Sequence, residues 1–82
     1  MQKVRRFLSR YRKGSDRPEK EEIDLSNVPL KILQGIFEQP ESELMYVIYD
    51  VKSHHAKALE PYLSESLDLQ QFDYFLETEQ VK

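Results

Sequence analysis

Apolar positions along this chain repeat with two different periods, and the switches between them divide it into six elements. In residues 3–12, KVRRFLSRYR, Phe7 and Tyr11 fall on one side of an extended chain and Val4 and Leu8 on the other. The aromatic and β-branched content predicts a strand. Arginines on both sides predict that it lies near a sheet edge, where charges guard against unwanted pairing. Residues 13–20, KGSDRPEK, collect the turn formers Gly14, Ser15, Asp16 and Pro18 and read as a mobile loop. Residues 21–25, EEIDL, alternate again, with Ile23 and Leu25 inward. An antiparallel hairpin would set the acids of this second strand beside the arginines of the first.

The period then changes. Leu30, Leu33 and Phe37 make a helical stripe within residues 28–38, with Ser26 or Asn27 as cap and Pro29 in the first turn. Pro40 is the expected stop. Residues 44–51, LMYVIYDV, are almost continuously apolar and predict a central strand covered on both faces or met by a partner. Ser53 is placed to cap a second helix over 54–60, ended or kinked by Pro61, with Tyr62 and Leu63 as a last irregular turn. Leu67 and Leu69 anchor a connection over 64–71. The last strand, 72–79, sets Phe72, Tyr74 and Leu76 on one face and Asp73, Phe75 and Glu77 on the other.

The expected class is therefore α+β: a four-stranded, mainly antiparallel sheet with two short helices on one face, in the order ββαβαβ, as a single domain over residues 1–82. The strands carry more apolar residues than one buried face needs. Either loops or a crossing strand cover the second face, or it stays open as a recognition surface of aromatic anchors within a polar rim.

Charge sharpens the picture. The net charge is −3, unevenly spread. Residues 1–20 hold eight Lys/Arg against two acids; residues 21–82 hold four Lys against thirteen acids. A basic segment with interleaved aromatics (Arg5, Arg6, Arg10, Arg12 and Lys13 with Phe7 and Tyr11) is a nucleic-acid pattern. The acidic remainder would repel phosphate, and the second strand offers those arginines partners, so nucleic acid is not the expected ligand. No cysteine is present, so neither disulfides nor thiolate metal sites arise. MQKVRRFLSRYRK has no apolar stretch of the signal-peptide kind, and no run approaches the roughly 18 apolar residues of a membrane span. A soluble, cytoplasmic protein is the expectation.

Catalysis is not expected. His54 and His55 are adjacent, whereas two ligands sharing a helix face need a spacing of three or four. One of them could act as a general base in a small nuclease, but no nucleophile–base–orienter set accompanies it. Only Gly14 and Gly35 occur, so there is no glycine-rich phosphate loop. No cofactor and no metal are implied.

The stretches EIDLSNVPLKILQGIF, ELMYVIYDV and LDLQQFDYFLE, spanning about residues 21–79, resemble a group of small bacterial proteins of unknown function. The matching positions are Ile23, Asp24, Leu25, Ser26, Tyr46, Tyr49, Asp73, Tyr74, Phe75, Leu76 and Glu77. Such proteins look like immunity proteins paired with secreted toxins, so the resemblance implies toxin neutralisation by direct association and brings no catalytic residues. An acidic domain suits a toxin with a basic cleft. The candidate contacts are Tyr46, Tyr49, Asp50, Asp73, Phe75 and Glu77. A homodimer closed by the apolar sheet face is the alternative partner.

Overall fold

A computed structural model of the chain describes residues 3–19 and 21–81. Lys20, at the end of the expected loop, and the terminal residues of the expected domain lie outside the described residues. The elements are β1 (Lys3–Arg12), β2 (Ile23–Asp24), α1 (Leu30–Ile36), β3 (Tyr49–Asp50), α2 (Ser53–Leu59), a 3₁₀ turn (Glu60–Tyr62) and β4 (Phe72–Val81). The protein is α+β in the expected order, with one antiparallel sheet arranged β2-β1-β4-β3.

The long strands β1 and β4 pair over their whole length, from Lys3 opposite Val81 to Arg12 opposite Phe72. β1 lies near a sheet edge, as expected, one strand in: it stands between β4 and the two-residue edge strand β2, which pairs only with Phe7 and Leu8. Its arginines are tolerated there because neighbours neutralise them or rings carry their stems. Arg5 bonds Glu22 at 2.8 Å and Glu79 at 2.7 Å. The guanidinium groups of Arg10 and Arg12 lie 4.6 and 5.1 Å from the centre of the Phe72 ring.

Residues directly opposite in an antiparallel pair share a face. Leu8 and Leu76 oppose each other, with Ile23 and Tyr49 flanking them in register. Together with Tyr74 they meet Leu33 of α1 and Ala56 and Leu59 of α2, so both helices cover this one face. Leu25, Val28, Phe37, Met45 and Val51 complete the core.

The second correction concerns 44–51. Only Tyr49 and Asp50 pair, and they form an edge strand, not a central one. Met45 is the cause: its backbone turns to φ 58°, in the left-handed region, and this breaks the alternation. The turn drives the Met45 side chain fully into the core while Leu44, Tyr46, Val47 and Ile48 stay exposed. Side-chain donors hold the segment's carbonyls. Gln34 Nε2 donates to the carbonyls of Glu41 (3.2 Å) and Glu43 (2.7 Å), Arg6 to that of Leu44 (2.7 Å), and Thr78 Oγ1 to that of Met45 (3.0 Å).

Helix ends also differ from expectation. Neither Ser26 nor Asn27 caps α1, whose cap position is Pro29 with φ −61°. Ser26 donates instead to Asp24, and Asn27 to the Tyr62 carbonyl at 3.1 Å. The helix ends before Pro40: Glu38 adopts φ 56°, and the Gln39 N–H reaches the Gln34 carbonyl at 2.8 Å, the bonding of a Schellman end. Ser53 is the first residue of α2 and not its cap. The cap position is Lys52, whose N–H donates to His55 Nδ1 at 3.0 Å. Pro61 sits inside the 3₁₀ turn that prolongs α2.

Candidate functional site

The face of the sheet turned away from the helices carries a different set of residues. Across β2, β1 and β4, one row reads Asp24, Phe7, Glu77. The next reads Ser9, Phe75, Asp50, and the next Tyr11, Asp73. Phe7 and Ser9 at its centre are only 6% and 5% exposed. The Arg5 guanidinium lies over the Phe7 ring at 4.2 Å. Tyr11 and Phe75 meet edge to face at 5.5 Å, and Phe75, Asp73 and Glu77 are half-buried.

Of the expected contact residues, the fold brings Asp50, Asp73, Phe75 and Glu77 together on this face. It places the other two elsewhere. Tyr49 turns toward the helices, 5.6 Å from the Phe37 ring, and burial pushes its phenol up, with Glu43 adding to the effect. Tyr46 is exposed beyond the other side of β4, where it shares a shallow hollow with Val4, Thr78 and Gln80. The residues that sequence reasoning did not single out are Tyr11, Ile48 and Ser15. They join Asp73, Phe75 and Glu77 around a cleft of about 300 Å³. Tyr11 was legible as a face-mate of Phe7; Ile48 was not, because its neighbourhood was expected to be buried strand.

A second, wider cavity of about 500 Å³ lies between β2 and the turn after α2, lined by Arg10, Glu21, Glu22, Asp24, Tyr62 and Glu65 among others. Arg10, the only cation lining it among the described residues, is engaged with Phe72 and with Glu21 at 3.8 Å.

Electrostatically, the basic segment is largely spent within the fold. Besides Arg5, Arg10 reaches Glu21, Arg12 reaches Glu19 at 3.7 Å, and Lys13 bonds Asp73 at 2.8 Å. The expected pairing of second-strand acids with first-strand arginines is present. By contrast, Asp24, Asp50 and Glu77 on the open face take part in no ion pair among the described residues.

His54 and His55 face each other with ring centres 4.0 Å apart. His55 stacks on Phe37 at 4.3 Å, and its Nδ1 accepts the Lys52 N–H, which requires that nitrogen to be unprotonated. Burial, and then the neighbouring His54, hold its pKa below the ordinary imidazole range. This histidine has a structural role at the start of α2. Among the described residues no group of three or more His, Asp or Glu is arranged to hold a metal ion, and no helix is long and apolar enough to cross a membrane.

No curated protein matches the chain. The family model for a domain of unknown function, DUF7683, matches residues 5–77, which takes in β2, β3, both helices and most of β1 and β4. The chain therefore belongs to the DUF7683 family.

Proposed function

We propose that this protein works by binding another protein through the open face of its sheet, and that the partner surface is basic. The observation that carries this reading is the grouping of Asp24, Asp50, Asp73 and Glu77 around Phe7, Tyr11 and Phe75, on a face the helices leave bare. Aromatic anchors supply the desolvated centre of an interface and carboxylates its steering rim. Because Asp24, Asp50 and Glu77 make no ion pair among the described residues, a cationic partner need not break one of those to reach them.

In its most specific form, the protein is a bacterial immunity protein that neutralises a cognate toxin by stoichiometric association. The sequence resemblance motivates this form, and the acidic face suits it. The test is to purify the product of the adjacent reading frame and mix it with this protein. A one-to-one complex on size exclusion, together with loss of the toxic activity, is the expected result. Failure to co-elute at low salt would remove the reading.

A second reading, self-association, is favoured by one observation. Leu44, Val47 and Ile48 are exposed beside the two-residue edge strand β3, and Val47 and Ile48 are each 63% exposed. Uncovered edges with apolar neighbours invite pairing. Light scattering at tens of micromolar, the range of weak dimers, discriminates: a dimer mass supports this reading and a monomer mass removes it.

A further inference from the structure

Two aromatic positions of the sheet, one on each face, carry a guanidinium, and a third carries none among the described residues. Phe7 carries Arg5 at 4.2 Å, and Phe72 carries Arg10 and Arg12 at 4.6 and 5.1 Å. The Tyr11–Phe75 pair carries none among the described residues, although it lies between Asp73 and Glu77. Its cleft of about 300 Å³ is lined by Tyr11, Ser15, Ile48, Asp73, Phe75 and Glu77, with no basic residue in the lining among the described residues. That volume stands at the small end of ligand sites, which run from about 300 to 1,000 Å³.

We propose that this cleft receives a single arginine side chain of the partner, stacked on the Tyr11–Phe75 pair and bonded to the carboxylates of Glu77 and Asp73. Three features argue for a guanidinium. Its planar face matches an aromatic wall, and its edge donors match a carboxylate in two parallel bonds. Asp50 stands opposite Phe75 in register and adds negative potential at the same place. Lys13 already brings an ammonium 2.8 Å from Asp73, so this carboxylate accepts a cation within the fold. Both members of that pair are about half exposed, and exposed pairs contribute only about 0–1 kcal/mol, so the partner's arginine can displace the lysine at small cost.

The proposal rests on the reading that the partner is a basic protein, but the cleft can be tested without that partner. The probe is N-acetyl-arginine-N-methylamide, titrated to about 50 mM into ¹⁵N-labelled protein, well above the millimolar affinity that about 4 kcal/mol supplies. The citrulline analogue, neutral and nearly isosteric, is the control. Saturable shifts at Tyr11, Ile48, Asp73, Phe75 and Glu77, absent with citrulline and weakened about threefold or more in Glu77→Gln, are expected; a cation–π contact plus a charge-assisted bond is worth at least that factor. Asp73→Asn provides a second variant should Glu77→Gln lose its native dispersion. Equal shifts with citrulline, no saturation, or shifts spread evenly over Glu21, Glu65 and other exposed acids would overturn the cleft assignment. If arginine fails to bind here while Phe75→Ala still weakens a protein complex, the cleft falls and the open-face reading stands. If arginine binds here but no basic protein does, the reverse holds.

Discussion

On the covered face of the sheet, Leu8, Tyr74 and Leu76 are shut beneath two helices; one residue further along the same strands, Ser9, Phe75 and Glu77 look out on a surface with no helix over it. The two faces alternate along one pair of long strands, so any difference between them comes from side chains and not from backbone. The covered face closes its own interactions. Its large ring at the strand end, Phe72, is flanked by two guanidinium groups, and the Tyr74 hydroxyl accepts the Asp68 N–H at 3.1 Å. On the open face, Asp50 and Glu77 take part in no ion pair among the described residues, and the Tyr11–Phe75 pair carries no cation among them. One face is spent on folding; the other is the face proposed to meet a partner.

The largest effect that can break this comparison is Leu76→Ala. Leu76 is fully buried, and truncation there should lower unfolding free energy by about 2–5 kcal/mol in urea titrations. A loss below 1 kcal/mol would mean the covered face is not the core. Phe72→Ala should cost about 2 kcal/mol, since most of its surface is shielded and two cation–π contacts go with it. Phe75→Ala, between them in sequence distance but on the other face, should cost only about 1 kcal/mol, the worth of its edge-to-face contact with Tyr11. If Phe75→Ala unfolds the protein as readily as Leu76→Ala, the two faces are not distinct.

Two smaller changes act in the helix layer and should leave the open face untouched. Glu38→Gly relieves a left-handed residue at the end of α1 and should stabilise by about 0.5–1 kcal/mol, read as a raised thermal midpoint. His55 should make stability fall in mild acid. Its folded-state pKa is depressed, so the unfolded chain binds the proton more readily. The contribution is complete above the ordinary value of about 6.5 and declines as pH drops through that value toward the lower folded one. The thermal midpoint should therefore decline between about pH 7.5 and 5.5, before the carboxylates titrate. His55→Gln should flatten that decline; an unchanged slope would assign it to another group.

Period and register were the legible part of this fold. The alternation in 3–12 and 72–79 located both long strands, and the split of Phe72, Tyr74 and Leu76 from Phe75 separated the covered face from the open one. Strand order was partly legible: arginine charge set the first strand near an edge, but the acids and rings that neutralise it come from elements distant in sequence, such as Glu79 and Phe72. The run 44–51 misled for a different reason. Hydrophobicity cannot distinguish a buried strand from one buried methionine followed by an exposed apolar ridge, and the deciding feature is the backbone turn at Met45. The site was half legible. Asp50, Asp73, Phe75 and Glu77 follow from alternation, but Ile48 and Ser15 enter the cleft through loop geometry. Tyr49 departs from the open face because its register with Leu76 sends it toward Phe37.

The central claim is that the open face, and not the helix layer, is the recognition surface. Calorimetric titration of the adjacent reading frame's product with wild type, Phe75→Ala and Glu38→Gly tests it most directly. The account predicts a one-to-one complex that Phe75→Ala weakens at least tenfold, a loss of about 1.4 kcal/mol, and that Glu38→Gly leaves unchanged. Equal affinities for wild type and Phe75→Ala, or the absence of a complex, would contradict it.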